Sequence, residues 1–453
     1  MTPVQTMVAT ARQLLAGARP AVVAHDAWSA YGLELVLPET AILCVQASTV
    51  VDLLRDRGVA VFCLSEHVPA ELVAGASAVE IFEHPAAREF SGATGPLMVI
   101  GLKPTERGRA GVERAGGRQL GSASGFAVAR RFENKLAFAT IAAELGLPVP
   151  AWQVVDPGDD LRFQSLAERL GPRLVVQGPR GNAGQRTWFV SDQAALDRVA
   201  ASEGQRPLRV AEMVDGVPIT ATAVAGRDPE GSAAMVAVIE PCRQVTGVEW
   251  LTPMRLGSCG NAWGAPDVDA AGDAVRDVMA RLGAALSDSG YQGMFGVDFV
   301  LGDRGPVVIE TNPRLVASLP LATQLEHAAG RAPLLLHHLV AGLGGRAAGP
   351  VPTPGPLSPA SQVIVRRLPG DPDRRPDLAS GVYRVAPGAP PEFLRPAAYL
   401  ADVAAPDEAL LLVRAPGEAV TDGKEMARVM FQGPAGEGQP GLQELVRTVR
   451  GGG

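Results

Sequence analysis

Residues 298–314 read DFVLGDRGPVVIETNPR, and the reading of this stretch decides the fold. Two apolar runs, GVDFVLG and PVVIETN, flank a short Gly-bounded turn and predict a β-hairpin. Each run carries a carboxylate, Asp298 or Glu310, among Val, Ile and Phe, where burying charge is costly. Side chains alternate faces along a strand, so the turn length decides whether these acids meet. A loop of Asp303, Arg304 and Gly305, with Gly305 left-handed, pairs Gly302 with Pro306 and therefore Asp298 with Glu310. A loop one residue shorter puts them on opposite faces. Asn312, two residues beyond Glu310, shares its face. Like charges opposed on a sheet repel, and without a counter-ion one of them must raise its pKa. A divalent cation held by Asp298, Glu310 and the Asn312 amide oxygen removes the conflict. Few ligands, all hard oxygens and open to phosphates, suit Mg2+.

The surrounding chain has 453 residues, 47% apolar and 20% charged, enough for two to four domains with their own cores. A net charge of −7 leaves no basic footprint for nucleic acid. No apolar run is long enough to cross a membrane, and the N-terminus lacks the pattern of a signal peptide. The expectation is a cytoplasmic protein. Cys44, Cys63, Cys242 and Cys259 show no metal-ligand spacing and read as buried thiols. Basic residues are almost all arginine: the only lysines are Lys103, Lys135 and Lys424, so a lysine inside a motif carries weight.

Residues 1–125 alternate strand and helix patterns, which predicts a parallel α/β domain. No GxGxxG follows the first strand, so dinucleotide binding is not expected there. From 126 to 345 helices alternate with strands around a Gly-rich turn, GPRGNAGQRT at 178–187, and divide into subdomains at about 126–210 and 211–345. Residues 346–453 open with a Gly/Pro-rich linker and continue as short strands with turn chemistry, a small β-rich domain. His327, His337 and His338 lack ligand spacing and read as packing or surface residues.

Asp298, Glu310 and Asn312, followed by Pro313-Arg314, resemble the metal-binding end of the ATP-grasp superfamily over about 131–340. The resemblance implies an N-terminal α/β domain, a central fold of two α+β subdomains with ATP between them, and a small C-terminal domain. It implies ATP and Mg2+ as cofactors and activation of a carboxylate as an acyl phosphate. By that resemblance Lys135 contacts the ATP phosphates, and Gly181, Ala183 and Gly184 bring backbone N–H groups to phosphate oxygens. Glu212, Met213, Val214 and Asp215 lie where the superfamily holds adenine, Arg255 lies near the transferring phosphate, and Arg314 orients the carboxylate. Two positions depart from the pattern. Gln177 stands where a second phosphate lysine is usual, with Arg180 as the candidate to compensate. Pro218 stands where an acid often binds ribose, with Asp215 as the candidate replacement.

The resemblance therefore implies an ADP-forming ligase that joins a small carboxylic acid to an amine, with homodimers as the family habit. Two alternatives stand beside it. One is an ATP-dependent carboxylase or another acyl-phosphate ligase with a different acceptor, against which the chain has no biotin-attachment sequence. The other is a catalytically silent nucleotide sensor, which the missing lysine would favour. RLVASLPLATQLE, residues 314–326, is expected to line the acid pocket and hints at a partly apolar acid.

Overall fold

The computed structural model describes residues 1–69, 72–73, 76–156, 161–181, 184–347, 357–372, 377–415, 420–433 and 441–451. Ala183, most of the Gly/Pro-rich linker and the Gly-rich segment 434–440 lie outside them.

The expected N-terminal parallel sheet is present. Strands β1 (Arg19–Asp26), β2 (Ala41–Gln46), β3 (Ala60–Cys63), β4 (Leu97–Gly101) and β5 (Arg118–Gln119) run in the order β3-β2-β1-β4-β5. Every pair is parallel. β1 and β2 read as nearly unbroken apolar runs because helices and loops cover both faces, as a parallel sheet requires.

A second sheet comprises β6 (Trp152–Val155), β7 (Leu174–Gln177), β8 (Thr187–Val190) and β9 (Leu208–Glu212), all antiparallel, in the order β6-β9-β7-β8. Leu174, Val176, Leu208 and Val210 form its core with the helices Phe163–Leu170 and Gln193–Glu203. By strand alternation Val175, Gln177, Arg209 and Ala211 face the other way. That second face carries the polar side chains Gln177 and Arg209, and both are buried.

The third sheet is built on β10 (Val217–Arg227), β11 (Ala233–Val238), β12 (Cys242–Thr246), β13 (Ser258–Trp263), β14 (Gly293–Gly302) and β15 (Gly305–Asn312). Phe295, Val297 and Phe299 pack with Ile219, Ala221 and Val308 on the helix Gly272–Asp288. The C-terminal strands β16 (Ala360–Arg366), β17 (Gly381–Arg384), β18 (Glu392–Pro396), β19 (Glu408–Val413) and β20 (Glu425–Gln432) extend this same sheet. They join it where β13 pairs with β16, Gly260 opposite Val363.

The helix Leu319–Ala328 is buried from Leu319 to Glu326, packed with residues of the N-terminal and C-terminal regions. Its apolar character is therefore core packing. That corrects the expectation that residues 314–326 line an acid pocket: Val316 and Ala317 alone from this stretch, beside Arg314, retain exposure. No helix of the described residues is long and apolar enough to cross a membrane.

Candidate active site

The hairpin β14–β15 places its acids together by a route other than the one expected. The turn is Asp303-Arg304 alone, with Gly302 opposite Gly305 and Phe299 opposite Val308. Gly305 has φ +95°, the left-handed backbone expected for it. That register by itself would set Asp298 opposite Ile309 and turn Glu310 into the core beside Val308. The register shifts between Asp298 and Phe299, so that Ile309 is an extra residue and Asp298 pairs with Glu310. Beyond the bulge Asn312 lies opposite Gly296, and Thr311 returns to the buried face. A β-bulge, not the loop length, brings the carboxylates to one face.

Around the pair the structure assembles four cations. Lys135 opens the helix Lys135–Glu144, whose N-cap Asn134 accepts from the N–H groups of Leu136 and Ala137 at 3.0 and 3.3 Å. A lysine at a helix N-terminus opposes the macrodipole, and this one is also buried, at 6% exposure. Its ammonium contacts Glu310 Oε2. Burial pushes its pKa down to about 8 against the pull of Asp298, which raises it. The Lys135 N–H donates to Pro179 O at 2.9 Å, tying the helix start to the Gly-rich loop.

Asp298 accepts from Gln244 Nε2 at 3.4 Å and from Asn312 Nδ2 at 3.3 Å. Lost solvation raises its pKa, while Thr220, Lys135 and Arg314 act in the opposite direction. Arg314 donates through Nη2 to Asn312 Oδ1 at 2.9 Å and through Nε to Glu133 Oε1 at 3.3 Å. Lys103, from the N-terminal region, also meets Glu133 at 2.7 Å. Burial pushes the Glu133 carboxyl up, but the Lys103 hydrogen bond and the charges of Lys103 and Arg314 outweigh it and hold it below its ordinary value. Glu133 escaped the sequence reading, although it lies two residues from Lys135 and joins another of the three lysines to Arg314.

Gln177 is 3% exposed and sits opposite Arg209 across β7 and β9, accepting from Arg209 Nη1 at 2.9 Å. Arg180 is exposed, and its carbonyl accepts from Arg186 at 3.4 Å. The cation beside Gln177 is thus Arg209, which sequence reading passed over because only strand register brings it there.

The loop between β7 and β8 reaches the segment that carries Arg255. Arg255 is exposed, with its guanidinium 5.5 Å from the Phe189 ring centroid. Gly184 has φ +80°, and a Cβ there would come within 2.7 Å of Leu256 O. A Gly184→Ala variant is therefore expected to weaken ATP binding about tenfold, from left-handed strain and the backbone collision. Titration of ATP into wild type and variant checks this; equal affinity would show that the loop contact plays no part in nucleotide closure. Gly181 lies in the described part of the same loop.

Glu212, Met213, Val214 and Asp215 line an open cavity of about 350 Å³ with Gly302, Asp303, Arg304, Gly305 and Val307. Glu212 N–H donates to Ala151 O and Met213 N–H to Arg173 O, both at 2.9 Å. Asp215 is exposed and ion-paired with Arg173. The cavity lies at the turn end of the hairpin, four residues along β14 from Asp298, and at roughly 3.3 Å per residue that is on the order of 13 Å.

The segment after Arg314 is held from the C-terminal strands. Ala317 O accepts from Gln362 Nε2 at 2.9 Å and from Arg428 Nη1 at 3.2 Å, and Gln362 Nε2 also donates to Asn261 Oδ1 at 3.1 Å. His337 and His338 are packing residues, as expected: His338 Nδ1 accepts the Met294 N–H at 3.0 Å.

Residues 132–318, which contain every one of these groups except Lys103, His337, His338 and the C-terminal supports, match the ATP-grasp domain family. This chain carries an ATP-grasp domain. Solved structures extend the likeness beyond it, at identities that speak for the fold alone. N5-carboxyaminoimidazole ribonucleotide synthetase from Thermus thermophilus is 16% identical, with 95% of this chain and 98% of that one covered and a TM-score of 0.55. The biotin carboxylase domain of 2-oxoglutarate carboxylase from Hydrogenobacter thermophilus, a dimer in complex with MgADP, ADP and bicarbonate, is 12% identical over 92% and 86%, at 0.59. L-amino acid ligase from Bacillus licheniformis is 13% identical over 93% and 94%, at 0.54. A comparison with curated proteins found no match. The likeness in fold thus extends beyond residues 132–318 to the N-terminal parallel sheet and the C-terminal strands.

Proposed function

We propose that the chain is an ATP-dependent ligase that activates a small carboxylic acid as an acyl phosphate and joins it to an amine, releasing ADP and phosphate. The observation that carries this reading is the pairing of Asp298 with Glu310 on one strand face, with Lys135 and Asn312 against them. Among the described residues no cluster of three or more His, Cys, Asp or Glu side chains offers a metal site by itself. Asp298, Glu310 and Asn312 together offer a hard-oxygen donor set, and Glu310 already holds the cationic Lys135. These residues fit Mg2+, which when bound would neutralise the charge of the β- and γ-phosphates. Asn312 would present its oxygen after its amide turns over, since Oδ1 now accepts from Arg314.

The remaining roles belong to the protein's own side chains. Lys135 and the loop of Gly181 and Gly184 hold the phosphate chain, with Ala183 as a further proposed contact. Residues 212–215 seat the base in the cavity at the hairpin turn. Arg314, fixed by Glu133 and Asn312, orients the acid, because a guanidinium matches a planar carboxylate. A carboxylate oxygen then attacks the γ-phosphorus as the bond to ADP breaks. The amine adds to the acyl carbon, phosphate departs, and the amine loses its proton to solvent. Arg255, exposed beside Phe189, is proposed to approach the transferring phosphate from the loop side.

The test is ADP release by the full chain with Mg2+, over a panel of carboxylic acids with and without amines. Release that needs both an acid and an amine supports the ligase. Release with bicarbonate alone would support a carboxylase. ATP binding without turnover on any pair would support a sensor.

A further inference from the structure

Of the four cations around the acid pair, Arg209 is the one that lacks an anionic partner among the described residues. It is 2% exposed, and no carboxylate of those residues pairs with it. Its Nη1 donates to Gln177 Oε1 at 2.9 Å and to the carbonyl of the bulge residue Ile309 at 3.4 Å. Its Nε is buried with no hydrogen-bond partner. An uncompensated buried guanidinium is among the most costly groups a fold can hold, and a charge kept in that state calls for an anion from outside the chain. The direction it faces narrows the choice. Strand alternation turns it away from the helices behind β7 and β9 and toward β15, the strand of Glu310 and Asn312. It is also close enough to Lys135 for its charge to depress that lysine.

We propose that Arg209 binds a phosphate group of the nucleotide together with Lys135, and that Gln177 serves as its hydrogen-bonded cross-strand support. This rests on the reading of the cleft as an ATP site, and it assigns to that site a cation that sequence reading passed over. The buried Nε donor, left unmatched by the protein, gains a partner when a phosphate oxygen accepts from it, since guanidinium and phosphate pair as charge-assisted hydrogen bonds. The alternative is that Arg209 only ties the two sheets together through Ile309. The two roles make opposite demands on the free protein. A tie that is removed destabilises the fold, whereas an unpaired buried charge that is removed leaves it as stable or more stable.

The experiment measures ATP and adenosine affinity by calorimetry, and the thermal midpoint without ligand, for full-length wild type and three variants. Arg209→Gln is expected to bind ATP about 10- to 100-fold more weakly, the worth of hydrogen bonds to a charged group, with adenosine changed less than about twofold. Its ligand-free midpoint is expected to equal or exceed that of wild type. Gln177→Lys sets a second cation against Arg209 and is expected to lower the midpoint. Gln177→Lys combined with Arg209→Gln transposes the charge across the strand pair and is expected to restore ATP affinity to within about tenfold of wild type. Equal ATP binding by Arg209→Gln overturns the proposal. So does a parallel loss of ATP and adenosine, a lowered ligand-free midpoint for that variant, or a double variant as weak as the single one. A wild type that binds no ATP defeats the nucleotide reading itself and is distinguished from these by the wild-type titration.

Discussion

Changing Asp298 to Asn and Glu310 to Gln in one chain is expected to lower carboxylate-dependent ADP release by at least about a thousandfold. Both changes keep shape and remove only charge. In the proposed mechanism each carboxylate contributes to a site whose catalysis is positioning and electrostatics, so losing both would leave nothing to hold a cation beside the phosphates. Stability should move the other way for the first of them. Asp298 is desolvated and raised in pKa, so Asp298→Asn alone relieves a strained carboxylate and is expected to leave the thermal midpoint unchanged or higher. Glu310→Gln alone removes the partner of the buried Lys135 and is expected to lower it. Steady-state ADP release and thermal scans of the three variants check both halves. Full activity in the double variant would remove the metal assignment.

The second large effect is on stability in acid. Burial pushes both His337 and His338 down to about 4, against about 6.5 for a free imidazole. Between those values the unfolded chain binds protons that the folded chain refuses, so stability falls as pH drops from about 6.5 toward 4. The full shift would be worth about 3 kcal/mol for each histidine, and the exposure both retain reduces that to about 1–2 kcal/mol. For His338 the cause is visible: its Nδ1 accepts the Met294 N–H, and protonation would set two donors face to face at the root of β14. Glu326 works against this. Its burial raises it to about 8, so its own contribution weakens as pH rises from about 4.5 to 8. Comparison with His338→Gln cancels that term. Chemical denaturation of the two proteins at pH 7 and pH 4.5 should show wild type losing about 1 kcal/mol more than the variant across the interval. Equal losses would mean that His338 titrates as an exposed imidazole.

Part of the candidate site is written in local sequence and part is not. Asp298, Glu310, Asn312 and Arg314 were legible because they lie within one hairpin, and Lys135 because lysine is so scarce in this chain. The pairing of the two acids was anticipated through a longer turn; the fold uses a shorter one and corrects the register with the extra residue Ile309. A bulge leaves no mark in an apolar run, since Val-Val-Ile reads the same with or without it. Glu133 was missed although it adjoins Lys135, because its value lies in Lys103 and Arg314, which come from other parts of the chain. Leu319–Glu326 was misread for a related reason: apolar residues look alike whether they line a pocket or fill a core.

By itself the sequence determined the parallel N-terminal sheet, the hairpin and the two acids it carries, because strand period, turn residues and charge placement are local properties. Tertiary structure alone decided that the C-terminal strands continue the central sheet, that Ala317 is held from β16 and β20, and that Arg209 stands beside Gln177 with no anion of its own among the described residues. Those depend on register between strands far apart in the chain, where the pairing that wins is the one that buries the most apolar surface and leaves the fewest polar groups unmatched.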